Sequence, residues 1–136
     1  MYSLVSGGTK TFTAVDVPRA IPDNDRHGAR SVIHTRPRGF VIQKVLVTAN
    51  IAHTYRGDLV VQVIAPDGQA ATLSDRAGGS ADNFAVTDLD ITSSFAPGTS
   101  ASGAWKLFVR DVAIGDTGQI TGFSLTITAS RGAPAP

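Results

Sequence analysis

Residues 59–65 form an alternating apolar segment that ends at a tight turn, and this segment constrains the fold more than any other part of the chain. Side chains along a β-strand point alternately to opposite faces of the sheet. One face of this segment carries Leu59, Val61, Val63 and Ala65. Because Val60 and Ile64 are apolar on the other face, we predict a central strand covered on both sides, as in a two-layer sheet protein. Pro66 cannot donate a ladder hydrogen bond and marks the end of the strand.

Seven further segments have the composition of short strands, and turn residues separate them. These segments are residues 9–17, 30–35, 40–52, 70–74, 84–91, 104–111 and 119–128. The last has the cleanest alternation, with Phe123, Leu125 and Ile127 on one face and hydroxyl side chains on the other. About eight short strands joined by turns predict an all-β fold, a jelly-roll β-sandwich of antiparallel strands.

Length and composition limit the classes of function that the chain can have. The chain has 136 residues, no cysteine and a net charge of +1. We predict one domain over residues 1–130 and a flexible C-terminal tail over residues 131–136. Scattered basic residues argue against a nucleic-acid partner, and no apolar run approaches the roughly 18–20 residues of a membrane span. The first residues lack the charged and apolar regions of a signal peptide, and the absence of cysteine leaves the compartment open.

Three blocks of sequence occur together in a fixed order. They are His-Thr-Tyr-Arg-Gly-Asp-Leu at residues 53–59 with Ala-Pro-Asp-Gly at residues 65–68, Gly-Ala-Trp-Lys-Leu-Phe-Val-Arg-Asp at residues 103–111, and Asp-Thr-Gly at residues 116–118 with Phe-Ser-Leu-Thr-Ile at residues 123–127. With these blocks in register over about residues 21–128, the chain resembles the P domain, also called the P/Homo B domain, of proprotein convertases and many bacterial secreted proteases. The loop at residues 78–83, which contains Asp82, fits the bacterial members.

The resemblance implies a non-catalytic domain that lies C-terminal to a subtilisin-like serine or zinc metalloprotease catalytic domain. Such a domain stabilises that neighbour and assists its folding or regulation. The implied partners are the catalytic protease domain of the same polypeptide and its protein substrate, with calcium as the one cofactor. The implied setting is a secreted bacterial protein, and we expect a monomer. The competing hypothesis is a free-standing extracellular binding or adhesion module for a substrate protein or a carbohydrate.

Three short motifs suggest a hypothesis in which the chain is itself an enzyme. Asp116-Thr117-Gly118, His27-Gly28 and Gly98-Thr99-Ser100-Ala101 resemble pieces of a serine-protease triad. They stand in the order His, Ser, Asp, on what are predicted to be short strands and loops, so Gly-rich turns explain them better. A real triad would need a cleft that joins a histidine, a serine and an aspartate. The three histidines (His27, His34 and His53) lack the spacing of a zinc site, and His53 is predicted to serve a turn hydrogen bond.

Two oxygen-rich stretches are candidates for calcium. Calcium takes six to eight oxygen ligands, often from clustered Asp and Asn side chains and loop carbonyls. The candidate ligands are Asp23, Asp25, Asp111 and Asp116. No EF-hand spacing is present, and the alternative is that these residues simply form turns.

Five residues are assigned structural roles: Arg56, Gly57, Asp58, Asp82 and Trp105. The Arg-Gly-Asp sequence at residues 56–58 could be an integrin-type tripeptide, but a turn before the central strand is the better interpretation. In that turn Asp58 is expected to pair with Arg56 or Arg76. Trp105 could stack on a sugar or a peptide, but it shares its strand face with Leu107 and Val109, which predicts a core position.

Overall fold

The computed structural model describes residues 8–131 and the backbone of Tyr2 and Ser3. The strands of this part of the chain are β1 (Tyr2–Ser3), β2 (Gly8–Thr13), β3 (Arg19–Ile21), β4 (Asp25–Arg36), β5 (Phe40–His53), β6 (Leu59–Ile64), β7 (Ala70–Asp75), β8 (Phe84–Asp90), β9 (Gly103–Asp111) and β10 (Gly118–Arg131). Single-turn 3-10 helices lie at Arg56–Asp58 and Thr92–Ser94. Within the described residues, no helix is long and apolar enough to cross a membrane.

The strands form two sheets. The first sheet has the order β1-β4-β9-β6-β7, and the second has the order β2-β10-β5-β8 with β3 beside the start of β10. All pairings are antiparallel except that of β1 with β4. Because β4, β5 and β6 alternate between the sheets, the connections cross from one layer to the other. The predicted all-β sandwich is confirmed.

The core lies between the two sheets and is built from strand side chains that alternate between inward and outward positions over most of each strand. The buried apolar side chains include Trp105, Leu107 and Val109 in β9 and Phe123, Leu125 and Ile127 in β10. The central strand β6 adds Leu59, Val61 and Val63 from the first sheet. Each large apolar side chain that is fully buried contributes about 1.5–3 kcal/mol relative to an exposed position. The sandwich is therefore sealed by side chains that the period-two pattern places inward.

The largest difference from the sequence prediction lies at β4. This strand begins at Asp25 rather than at Arg30, where the predicted strand starts, and its register with β9 is interrupted between Asp25 and Ala29. Gly28 sits in this irregularity with φ of +60°, and a Cβ there would lie 2.3 Å from the Val109 carbonyl oxygen. Only glycine tolerates both conditions, so an apparent loop residue is a strand residue here.

The chain ends also differ. The first long strand stops at Thr13 rather than continuing to residue 17. Strand β10 runs three residues beyond the predicted end, to Arg131, whose guanidinium carbon lies 5.2 Å from the centre of the Phe40 ring. Arg131, the first residue of the predicted tail, therefore belongs to the sheet. Residues 132–136 lie outside the described part of the chain.

Candidate functional site

The segments that carry most of the predicted site residues meet at one end of the sandwich. Strand β5 ends at His53, which pairs in register with Gly118 at the start of β10. Strand β9 ends at Asp111, which pairs with Leu59 at the start of β6. A 3-10 turn immediately before β6 presents Asp58. We refer to His53, Asp58, Asp111 and Asp116 as the histidine–aspartate cluster.

His53 and Asp111 form a buried pair. The Nε2 atom of His53 lies 2.9 Å from Oδ2 of Asp111, and both side chains are 0% exposed. The backbone N–H of Tyr55 donates to Nδ1 of His53 at 3.0 Å. A backbone N–H can only donate, so Nδ1 is unprotonated and the ring proton is on Nε2. His53 is therefore a neutral imidazole that donates to the Asp111 carboxylate.

This geometry removes His53 from acid–base chemistry. A catalytic histidine needs one free nitrogen to take the proton of a serine, and both nitrogens of His53 are already in hydrogen bonds. His27 lies elsewhere on the surface, where its Nδ1 is 3.0 Å from the Asp25 carboxylate. The structure thus brings a histidine and an aspartate together, in an arrangement that holds loops rather than activates a nucleophile.

The loop of residues 78–83 closes over the cluster. Asn83 accepts a hydrogen bond from the His53 N–H with its side-chain oxygen and donates its own N–H to the His53 carbonyl. The neighbouring Asp82 is exposed, and Asn83 rather than Asp82 makes these contacts. The signal in the sequence was the residue type: asparagine tolerates the positive φ of +62° found at this position.

The Arg-Gly-Asp sequence forms the 3-10 turn, and its glycine is required by a close backbone approach. The Gly57 N–H donates to the Gly79 carbonyl at 2.9 Å. A Cβ at Gly57 would lie 2.6 Å from that same oxygen. The Arg56 guanidinium carbon lies 5.4 Å from the centre of the Phe84 ring. The tripeptide therefore packs against the protein, as expected for a turn before the central strand.

Asp58 does not form the predicted pair with Arg56 or Arg76. Its side chain is buried, and among the described residues its carboxylate makes no hydrogen bond or ion pair. Burial first, and then the negative charges of Asp111 and Asp116, raise the pKa of Asp58 above its ordinary value. Arg76 exerts only a weaker attraction, so burial and the neighbouring carboxylates dominate at Asp58.

The raised pKa predicts a pH-dependent effect of Asp58→Asn. The folded protein keeps the Asp58 proton at pH values where the unfolded chain has lost it, so this group makes stability fall as pH rises through and above its ordinary pKa of 3.8. We expect Asp58→Asn to raise the melting temperature by roughly 2–4 °C at pH 7, with a smaller gain at pH 4. Melting curves across this range, with exposed Asp75→Asn as the control, test it. A lower melting temperature at pH 7 would contradict the repulsion.

The four calcium candidates each accept hydrogen bonds from the protein. Asp23 accepts from the Gly115 N–H, Asp25 from the His27 N–H, Asp111 from His53, and Asp116 from the Thr54 hydroxyl. No group of three His or Asp side chains in the described residues could hold a metal ion. A calcium ion here would need further oxygens from loop carbonyls and water to reach six ligands. The carboxylates lie near one end of the sandwich without forming a ready site.

Trp105 lies in the core. Its side chain is completely buried, its Nε1–H donates to the Ala101 carbonyl at 2.9 Å, and its ring meets Phe95 edge-on. A sugar or peptide therefore cannot stack on Trp105 in this fold.

Comparisons with known proteins agree with the sequence blocks. The family model of the proprotein convertase P-domain matches residues 42–127. The chain is 48% identical over 80 residues to leupeptin-inactivating enzyme 1 of Streptomyces exfoliatus, covering 59% of this chain and 17% of that protein. It is 38% identical over 109 residues to the transglutaminase-activating metalloprotease of Streptomyces mobaraensis, covering 79% of this chain and 14% of the relative. It is also 36% identical over 129 residues to a calcium-dependent protease of Nostoc, covering 85% and 18%.

Solved structures share the fold. A crystal structure of the Aeromonas sobria serine protease in complex with a chaperone matches with a TM-score of 0.66 and 19% identity, over 93% of this chain and 27% of that one. The chain spans less than a fifth of the length of the curated relatives described above. The family model covers well over half of the chain, in the region that contains the Arg-Gly-Asp turn and Trp105. The chain therefore belongs to the proprotein convertase P-domain family.

Proposed function

We propose that this chain is the non-catalytic P domain of a secreted bacterial protease and that it stabilises the adjoining catalytic domain. The observation that carries the proposal is the family match, because three matched relatives bear names of proteases and this chain corresponds to 14–18% of their length. Most of such a protein lies outside the part that this chain resembles. The catalytic domain, of subtilisin-like serine or zinc metalloprotease type, belongs to that remainder.

Docking supplies the physical mechanism. A partner that binds only the folded state of the protease raises its free energy of unfolding. The increase is about 2.7 kcal/mol when the partner's concentration is 100 times the dissociation constant. A covalent link of short length supplies an effective concentration on the order of millimolar, so even a weak interface reaches this ratio. A rigid sandwich suits the role, since little conformational entropy is lost when it docks. The same interface can assist folding or regulation.

The proposal is tested with the complete polypeptide to which this chain belongs. Removing this domain is expected to shorten the half-life of proteolytic activity at elevated temperature by tenfold or more, and the separate domain is expected not to hydrolyse casein. Adding the separate domain back to the truncated protease should restore part of the lost half-life. An unchanged half-life after deletion, or casein hydrolysis by the domain alone, would overturn the proposal.

A free-standing binding module would need an exposed aromatic strip. Among the described residues Tyr55 is the one aromatic side chain that is more than a third exposed, and Trp105 is in the core. The alternative therefore lacks the surface that carbohydrate recognition uses.

Calcium stays a prediction for this chain. Two relatives are named calcium-dependent proteases, and two acidic stretches carry the four candidate aspartates. Bound calcium would stabilise the folded state, so millimolar calcium is expected to raise the melting temperature by several degrees relative to excess EGTA. Magnesium at the same concentration controls for ionic strength. Identical curves in calcium and EGTA would contradict a calcium site in this domain.

A further inference from the structure

The outer face of the first sheet carries a concentration of positive charge. Where β4 pairs regularly with β9, from Ala29 onward, the outward side chains of this sheet that are charged or can be protonated are Arg30, His34 and Arg36 of β4, Lys106 and Arg110 of β9, and Asp75 of β7. They alternate with buried inward residues, so all point away from the core. Four of these residues are Arg or Lys and one is Asp, whereas the whole chain carries a net charge of only +1. We call this surface the basic face.

Two arginines on the basic face share one aromatic ring. Arg30 pairs in register with Phe108, and its guanidinium carbon lies 4.3 Å from the centre of that ring. The guanidinium carbon of Arg110, two residues further along β9, lies 5.7 Å from the same centre. The ring quadrupole attracts both cations, but the cations repel each other. A carboxylate bound between the two guanidinium groups would stabilise this arrangement, because it would offset their repulsion.

The charges of this cluster have no acidic partner in the described part of the chain. No carboxylate lies within 4 Å of Arg30, Lys106 or Arg110 in that part. The Nε atom of Arg110 is buried and has no hydrogen-bond partner. Arg30 uses one nitrogen for the His27 carbonyl, at 3.2 Å. Arg30 is exposed, so its remaining guanidinium donors can reach an external acceptor, whereas the buried Nε atom of Arg110 cannot.

The outer face of the second sheet differs in this respect. Its hydroxyl side chains pair with one another, as Thr9 does with Thr128 at 2.7 Å and Thr11 with Thr126 at 2.9 Å. Polar groups that already have partners gain little from a docked protein, because each lost internal bond offsets a new one. The basic face therefore concentrates cations without an acidic partner, whereas these hydroxyl groups of the second sheet already have partners.

We propose that the basic face, centred on Arg30, Phe108 and Arg110, docks on an acidic surface of the catalytic domain of the same polypeptide. Arg side chains bind carboxylates through two parallel N–H bonds, and Arg and aromatic residues are enriched in the energetically dominant parts of interfaces. Charge complementarity identifies the occupant as a protein surface that presents Asp or Glu carboxylates around an apolar spot for Phe108. The inference rests on the proposed function and names the face that performs it.

The test uses the complete polypeptide and reverses charge on the basic face and, as a control, at exposed positions of the second sheet. Arg30→Glu with Lys106→Glu changes the basic face, and Lys10→Glu with Lys44→Glu changes the same net charge on exposed residues of the second sheet. We expect the first pair to shorten the half-life of proteolytic activity tenfold, toward that of the domain-deleted protease, and the second pair to change it by less than twofold. Raising the salt concentration should shorten the half-life of the unmodified protein in the same direction.

Melting of the separate domain shows whether each variant folds. If the basic-face pair does not fold, Arg30→Glu alone carries the test, with a threefold loss expected, because Arg30 is exposed. If deleting the domain shortens the half-life of activity but the basic-face variants do not, this inference is overturned and the proposed function stays intact. No effect of domain deletion would overturn both. A concentration-dependent dimer of the separate domain that Arg30→Glu abolishes would assign the face to a second copy and also overturn the inference.

Discussion

Trp105→Ala is expected to lower the free energy of unfolding by about 3–5 kcal/mol, as large core truncations do. The side chain is fully buried between the sheets and meets Phe95 edge-on, with ring centres 5.5 Å apart. The loss comes from the emptied volume and the lost contacts, because the Ala101 carbonyl keeps a second donor in the hydroxyl of Thr35. A sandwich of two sheets cannot close over this gap without moving whole strands.

Urea unfolding followed by far-ultraviolet circular dichroism measures this change without relying on tryptophan fluorescence, since Trp105 is the only tryptophan in the chain. Tyr55→Ala serves as the control, because Tyr55 is 38% exposed and is expected to cost less than about 1 kcal/mol. A Trp105→Ala variant within 1 kcal/mol of the unmodified protein would mean that the indole is not a central part of the core.

Much of β9 and β10 could be predicted because the sequence alternates without interruption over residues 104–111 and 123–128. In β10 the period-two pattern places Phe123, Leu125 and Ile127 inward and hydroxyl residues outward, and the structure has the same arrangement. Such a pattern fixes register, since a slip by one residue would turn every apolar side chain to water. Secondary structure and core membership follow from it directly.

The start of β4 could not be predicted in the same way. The residues from Asp23 to Gly28 have the composition of a turn, and two of them, Asn24 and Gly28, do have positive φ. What makes part of this stretch a strand is its pairing with β9, a long-range contact that leaves no local trace. Tertiary pairing overrides local preference here.

The histidine–aspartate cluster shows a similar limit. The turn hydrogen bond of His53 was predictable, because its acceptor nitrogen binds the N–H of a residue only two positions away. Its pairing with Asp111, 58 residues away, depends on the registers of β5 with β10 and of β6 with β9. Asp111 is a calcium candidate on the sequence pattern alone, and the structure shows that it also has a buried histidine partner.

His53→Ala is expected to lower the free energy of unfolding by about 3–5 kcal/mol, because it leaves the buried Asp111 carboxylate without its principal donor. Both side chains are 0% exposed, so water cannot easily replace the imidazole. The variant also deprives the Tyr55 N–H of its acceptor and so loosens the Arg-Gly-Asp turn. One donor, the Ala113 N–H at 3.1 Å, remains on Asp111 and limits the loss.

A double-mutant cycle separates the stranded charge from the lost packing. In the His53→Ala background, Asp111→Ala removes the unpaired carboxylate, so the double variant is expected to be about 2 kcal/mol more stable than the sum of the two single losses implies. His34→Ala is the matched control, since His34 is exposed on β4 and is expected to change stability by less than 0.5 kcal/mol. Additive losses in the cycle would show that the 2.9 Å contact holds no coupling energy. The cost of His53→Ala would then come from packing alone, and the pair would not be what fastens β9 to the turn before β6.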